Sequence, residues 1–555
     1  MKCFCCKKNV VAPYYYNDNE NFPLCDVCAK KIIQQNILDG LSLWNYTIAH
    51  FYEFYNNSRK YISNLVHDFC TSSNIRDNAI YIRDEIKTQI KAHMQYYTRD
   101  NLIAVCTLIK QICRIGMDTA ESEKNFWFYS EKYNVICMLI QYSYKIVNYE
   151  GGMLCDTEES GKFDLTSAIV LLHFLLVLEQ NIEICDIKGY NNTTIEELIY
   201  SPIEFESMNN HFKEYIASSQ IDKPEDYTFT NQALKVKLQS EHKDISSIIV
   251  KTDNIIAPIF GFKLKNALEV ARKLLYDTIL NDSSPIYYIG TVTELKEKYK
   301  LSVECEIIEK ILDTFTIRES PKDLSSTQTR GFYELRSIFR FGDQVLIAPY
   351  DFLQSAAAFR SYAISGHNIE LYLPNNKNIN LSSILNYTST FIVYTLVDVL
   401  LSHNYILPME SKRINGESYV IPMAEIKKVM KNGTNLLKQD QDLTDIDILA
   451  CDTKKKIIYN IEVKHYKPAF NVKDMLYGDK DKVDRKETVR KTLARESLIL
   501  KEQGTFLELL NLPEEKYEVK SFIVSSRPNY YSQLCKRVAF ITWRQFCERV
   551  ENHDL

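Results

Sequence analysis

Between Thr444 and Lys464 the chain reads TDIDILACDTKKKIIYNIEVK: acids alternating with aliphatic residues, a polar turn, then an apolar run ending in Glu462-Val463-Lys464. Side chains alternate faces along a strand, so Asp445 and Asp447 share one face of a first strand. Glu462 and Lys464 share one face of a second. If the two strands pair as a hairpin through Asp452-Thr453-Lys454-Lys455, two or three carboxylates and one ammonium converge on one spot. Hard cations such as Mg²⁺ are held by a few carboxylates together with water and substrate phosphate oxygens. A lysine beside them can orient hydroxide or stabilise charge developing on phosphate. This is the chemistry of metal-assisted phosphodiester hydrolysis; the alternative is a solvated polar strand face, because charged residues recur on exposed strands.

A second set of residues could bind metal without catalysis. Cys3-x-x-Cys6 and Cys25-x-x-Cys28 are separated by 18 residues, a spacing that fits four thiolates around a tetrahedral Zn²⁺. Such binding can fold a segment too small for a core of its own. The second pair runs into a helical start at Ala29-Lys30-Lys31-Ile32-Ile33, giving a treble-clef or ribbon-like outline over residues 1–35, with Cys5 as a spare thiol. A structural clip is the expected role, ahead of a DNA-contacting finger. Cys106, Cys113, Cys137 and Cys305 stand singly among apolar residues, as buried thiols in a reducing cytosol do.

The elements around the acidic hairpin follow a readable order. Strands are expected over Leu335–Phe341 and Val345–Ala348, joined at Gly342-Asp343, where glycine suits a type II′ turn. A helix follows over Ser383–Leu401, then short strands near Tyr405–Leu407 and Tyr419–Pro422, then the hairpin. Beyond it comes one basic helical stretch with Lys482, Arg485, Lys486, Arg490, Lys491 and Arg495. From Asp452 to Arg495 there are 13 Lys/Arg against 7 Asp/Glu, a local positive excess that fits a phosphate-binding flank or a solvated face. Tyr517–Ser525 and Val538–Thr542 read as strands and Trp543–Val550 as a closing helix.

Asp447 followed by Glu462-Val463-Lys464 at the end of the next strand resembles the PD-(D/E)XK, restriction-endonuclease-like nucleases, and the order of elements over about 331–555 resembles their core. The resemblance implies that Asp447 and Glu462 are ligands of Mg²⁺ or Mn²⁺, with the Val463 carbonyl near the metal and Lys464 the catalytic lysine. Asp447 is preferred over Asp445 because the family writes acid, aliphatic, Asp, aliphatic, aliphatic here. Many members carry a further Glu on the first core helix. Here Asp398 is the lone acid on that helix, with Glu425 a weaker candidate from a neighbouring segment. His465 points to the opposite strand face.

The 555 residues exceed one core and imply several domains. The expected layout is a zinc module (1–35), an α-helical region for recognition or partner binding (36–316), a polar linker (317–331) and an α/β nuclease-like domain (332–555). Apolar residues recur at helical spacing at Leu41, Trp44, Ile48, Phe51 and Tyr55, and again over Leu102–Ile115, Val135–Val147 and Ala168–Leu178. His173 inside the last run reads as a core histidine. That run is too short to span a bilayer, and the chain opens without a signal peptide, so a soluble cytoplasmic protein with no membrane partner is expected. The net charge of −5 confines nucleic-acid contact to local patches. No phosphate-cradling glycine loop, Ser-His-Asp set or H-E-x-x-H is present, so NTPase and protease motifs are missing.

The function that follows is a Mg²⁺-dependent DNA endonuclease. The resemblance implies a role in bacterial restriction or antiviral defence, with a homo-oligomer or protein partner engaged through the helical region. Two alternatives stay open: an inert scaffold retaining the nuclease fold, and a nuclease acting on RNA. The carboxylates repel one another without metal, so removing one is expected to leave folding intact.

Overall fold

The structure is a computed structural model that describes residues 2, 7–9, 14–15, 23–24, 26–70, 72–94, 99–146, 159–191, 193–200, 224–280, 287–320, 332–366, 369, 379–438, 442–466, 477–485, 487–527, 529 and 535–555. It is mainly helical, with small sheets concentrated toward the C-terminal region. The chain forms two compact units. One comprises Met1–Ile203, Ala257–Phe359 and Leu371–Lys377; the other comprises Glu204–Ile256, Arg360–Glu370 and Asn378–Leu555. These units do not follow the boundaries expected above. Residues 332–359, expected with the α/β domain, pack in the first unit, and 204–256, expected with the helical region, belong to the second.

In the first unit a short ribbon, β1 (Tyr14–Tyr15) and β2 (Pro23–Leu24), precedes the helices α1 (Asp26–Phe69), α2 (Ile75–Met94), α3 (Arg99–Asp118), α4 (Glu123–Ile146), α5 (Glu159–Lys188) and α6 (Ile195–Tyr200). Helix α3 packs on α4, and α5 packs on α1 and α2. On α2, Ile82, Ile86 and Ile90 recur every four residues and are fully buried, the stripe that drives an amphipathic helix into a bundle. Helix α5 is apolar all round because it is buried on most sides. By length and composition its segment Asp164–Ile187 could cross a membrane (24 residues, mean hydropathy 1.7), but 67% of that window is buried inside the protein. The expectation of a run too short to span is therefore corrected: the helix continues well past Leu178 on polar residues the apolar run did not include. Its His173 meets Glu131 through Nδ1, and burial pulls the imidazole below its ordinary range.

Next in chain order come helices α7 (Gln232–Ser240), α8 (Ile245–Phe260) and α9 (Leu264–Leu280), the strand β3 (Tyr288–Thr291), and helices α10 (Val292–Tyr299) and α11 (Cys305–Phe315). The expected strand pair appears as β4 (Ile338–Phe341) and β5 (Gln344–Ile347), with Gly342 at φ 59° in the turn. Its partner was not foreseen. β5 lies between β4 and β3 in an antiparallel sheet within the first unit.

Helix α12 (Pro349–Ser365) leads on to α13 (Ser382–Ser402), then to two hairpins, β6 (Met409–Ile414) with β7 (Glu417–Pro422) and β8 (Met430–Lys431) with β9 (Thr434–Asn435). Each turns through Asn-Gly at positive φ (Asn415-Gly416 and Asn432-Gly433), the sequence a tight primed turn requires. Helix α13 is also long and apolar enough to cross a membrane (21 residues, mean hydropathy 1.5), with 72% of its window buried inside the protein. The main sheet of the second unit contains β10 (Ile448–Asp452), β11 (Ile457–Lys464), β12 (Glu518–Ser525) and β13 (Ala539–Thr542), in that spatial order. β10 and β11 are antiparallel, while β11, β12 and β13 run parallel. The parallel step from β11 to β12 needs a crossover, supplied by α14 (Asp479–Arg485), α15 (Thr488–Lys501) and α16 (Gln503–Leu509). Helix α17 (Trp543–Glu551) closes the order. Leu449, Cys451 and Ile458 of the sheet bury against Ile499, Phe506 and Leu507 of the crossover helices.

Candidate active site

The hairpin register pairs Ile448 with Ile461, which sets Asp447 across from Glu462. The first strand starts later than the alternation suggests. Asp445 and Asp447 lie just ahead of β10, in a segment that pairs with a different stretch of chain. Ile446 bridges Ile426, and Glu425 N donates to the Asp447 carbonyl at 2.8 Å. Across the hairpin, Val463 N donates to Asp447 Oδ2 at 2.7 Å. Two backbone segments thus fix this aspartate before any side chain is involved. Its other oxygen, Oδ1, accepts no hydrogen bond among the described residues. Burial, then the charge of Glu462, push the Asp447 carboxyl up to about 7, against the opposing pull of Lys464 and the Val463 N–H.

Glu462 is buried and carries two ion pairs: Lys464 Nζ meets its Oε1 and Arg495 Nη2 its Oε2. Alternation along β11 explains the geometry. Asn460, Glu462 and Lys464 share the face covered by α15, where Asn460 Nδ2 donates to the Thr492 carbonyl at 3.0 Å. Burial works against the Lys464 ammonium, but Glu462 and Asp447 overcome it and hold the group above the ordinary lysine range. Arg495 was expected as one more member of a basic run. The structure turns it inward from α15, fully buried, onto Glu462 and onto the chain ahead of β10. Sequence spacing carried one signal for this: Thr488, Thr492, Arg495 and Ile499 recur at helical spacing and form the buried stripe of α15.

Other candidates fall elsewhere. The Asp398 carboxylate, on buried α13, accepts from Thr230 N (2.7 Å), Thr230 Oγ1 (3.0 Å), Tyr227 Oη (3.0 Å) and Asn231 N (2.8 Å). These donors fill its lone pairs and tie α13 to the segment before α7, so as an additional metal ligand it is corrected to a structural carboxylate. Glu425 accepts from Thr390 Oγ1 at 3.1 Å. His465 lies between Ser526 Oγ and the Ser365 carbonyl, to which its Nε2 is 2.9 Å distant. The basic stretch is two helices, α14 and α15, not one. Lys482 is half-buried on α14, Arg490 pairs with Glu487 at 2.6 Å, and Lys491 is half-buried on α15. Lys486 and the side chain of Arg485 lie outside the described residues, as do Cys3, Cys6 and Cys25. Cys28 sits half-buried in the first turn of α1.

A divalent metal suits the donors at the hairpin. Mg²⁺ takes one or two carboxylates and completes its shell with water and phosphate oxygens, so it needs no closed cage of protein ligands. Asp447 and Glu462, set across the hairpin from each other, supply such a pair. Among the described residues no group of three His, Cys, Asp or Glu side chains lies close enough to hold a metal by itself. Compared with protein-family models, with curated proteins and with solved structures, the chain has no match.

Proposed function

We propose that the second unit carries a restriction-endonuclease-like, PD-(D/E)XK nuclease centre that hydrolyses DNA phosphodiester bonds with Mg²⁺ or Mn²⁺. One observation carries this reading. Asp447 and the Glu462-Val463-Lys464 strand end meet on an antiparallel hairpin, at the edge of a sheet whose remaining strands run parallel. When bound, the metal supplies a Lewis acid for the scissile phosphate and lowers the pKa of the attacking water. Asp447 and Glu462 hold it, and the Val463 backbone keeps the Asp447 carboxylate oriented. Lys464, paired with Glu462, acts as an ammonium that stabilises charge on the phosphate and the leaving oxygen. Lys482, Arg485, Lys486, Arg490 and Lys491, which follow the hairpin, contact the backbone of the nucleic acid. Cys3, Cys6, Cys25 and Cys28 hold one structural Zn²⁺, and the protein works in the cytoplasm, in restriction or antiviral defence.

The test incubates purified full chain with supercoiled plasmid, single-stranded DNA or RNA in Mg²⁺, Mn²⁺ or EDTA. Metal-dependent cleavage of DNA that is lost in Asp447→Ala is the expected result. Cleavage that persists in Asp447→Ala, or none with any substrate and metal, overturns the assignment. Cleavage of RNA alone replaces the substrate and keeps the chemistry.

A further inference from the structure

Arg495 is fully buried on α15 and holds two things at once. Its Nη2 meets Glu462 Oε2 and donates to Thr492 Oγ1 at 3.3 Å. Its Nη1 reaches the turn ahead of β10, donating to the Leu443 carbonyl (3.2 Å), to Thr444 Oγ1 (3.4 Å) and to the Asp445 carbonyl. That turn is strained. Thr444 sits at φ 60°, a left-handed conformation that a β-branched residue rarely adopts and that costs about 1–3 kcal/mol unless its surroundings impose it. A guanidinium is suited to impose it: planar, permanently charged, with donors in a fixed fork. Lysine presents its donors from a single nitrogen, so it lacks the two separate Nη atoms with which Arg495 reaches Glu462 on one side and the Leu443 and Asp445 carbonyls on the other.

We infer that Arg495 is the positioning residue of the nuclease centre, orienting Glu462 directly and aiming Asp447 by clamping the Leu443-Thr444-Asp445 turn. The inference rests on the nuclease reading. Arg495 touches neither substrate nor metal; it acts through the two carboxylates. Groups that orient metal ligands from behind are typically worth about 10–100-fold in metal affinity.

The experiment titrates Mn²⁺ into the full chain by calorimetry, with Asp447→Ala as the reference for sites elsewhere on the protein. Arg495→Lys keeps a cation beside Glu462 and removes the fork. It should weaken the Asp447-dependent Mn²⁺ site by about 10–100-fold, with cleavage returning at saturating Mn²⁺. A residue that only fills buried space would lower the melting temperature without moving this affinity. Thr492→Val removes the hydroxyl that accepts from Nη2 and should weaken the site several-fold; it decides the matter if Arg495→Lys does not fold. In an Arg495→Lys background, Thr444→Gly should recover part of the affinity, because glycine adopts the turn without strain. Parent-like Mn²⁺ affinity in the folded variants overturns the inference and leaves the nuclease reading intact. A parent with no Asp447-dependent Mn²⁺ site overturns the reading, and the inference with it.

Discussion

Each compact unit buries two cations against two carboxylates, and the two arrangements distribute charge differently. In the first unit Lys110 donates to the Tyr333 and Arg336 carbonyls at 2.6 Å each and lies 3.2 Å from Asp351 Oδ2. Arg114 reaches Asp351 Oδ1 at 3.5 Å, Glu334 at 3.3 Å and the Tyr133 hydroxyl at 3.0 Å. Both oxygens of Asp351 therefore face a cation. In the second unit both cations pair directly with Glu462, while Asp447 accepts one backbone N–H and feels the Lys464 charge without pairing with it. A network that shares its two cations over two carboxylates leaves neither acid without a counter-charge and serves the fold. One that concentrates its positive charge on a single carboxylate leaves negative potential on its neighbour, which a further cation would relieve.

The sharpest way to break this comparison is to remove the acids. Asp447→Ala should abolish cleavage by several orders of magnitude without lowering the melting temperature. Glu462→Ala should lose the same activity but also destabilise by about 3–5 kcal/mol, because it leaves Arg495 buried without its partner. The expectation that removing either carboxylate spares folding is kept for Asp447 and revised for Glu462, whose loss leaves the buried Arg495 without its carboxylate. Asp351→Ala should destabilise the first unit by a similar amount, about 3–5 kcal/mol in denaturant melts, with Mn²⁺ affinity unchanged.

A smaller effect reads the imbalance directly. A carboxyl whose folded pKa is raised binds its proton more tightly folded than unfolded. Asp447 therefore costs nothing below its unfolded value of 3.8 and destabilises progressively as pH rises toward about 7. Asn mimics the protonated form. In EDTA, Asp447→Asn should melt higher than the parent at pH 8, with the gap closing toward pH 4. A gap independent of pH would show that the surroundings of Asp447 do not raise its carboxyl. The smallest effect concerns the basic flank. Lys491→Glu should lower the salt slope of DNA binding by about one. Arg490→Glu should change it less, since Arg490 is already paired with Glu487.

The hairpin, helix α13 and strands β12 and β13 were legible because alternation and apolar runs fix element type and face. Partners across long sequence separations were not. Arg495 stands at the end of a basic run in sequence, and its role is set by Glu462, 33 positions earlier. β5 finds β3 rather than a strand of the C-terminal sheet, since a hydrophobic pattern says that a strand is buried without saying against what. Asp398 was read against the nearest family expectation. Its four donors lie on residues 227–231, 167 to 171 positions earlier in the chain.

That last contact bears on inheritance. The second unit is assembled from three separate lengths of chain, and the carboxylate of α13 joins the first of them to the last. A recombination event that transferred only Asn378–Leu555 to another gene would deliver the hairpin and its acids. It would also deliver a helix whose buried Asp398 carboxyl had lost its four donors. The hairpin acids are contiguous enough to be shuffled; the unit that carries them is not, and its descent should follow residues 204–555 together.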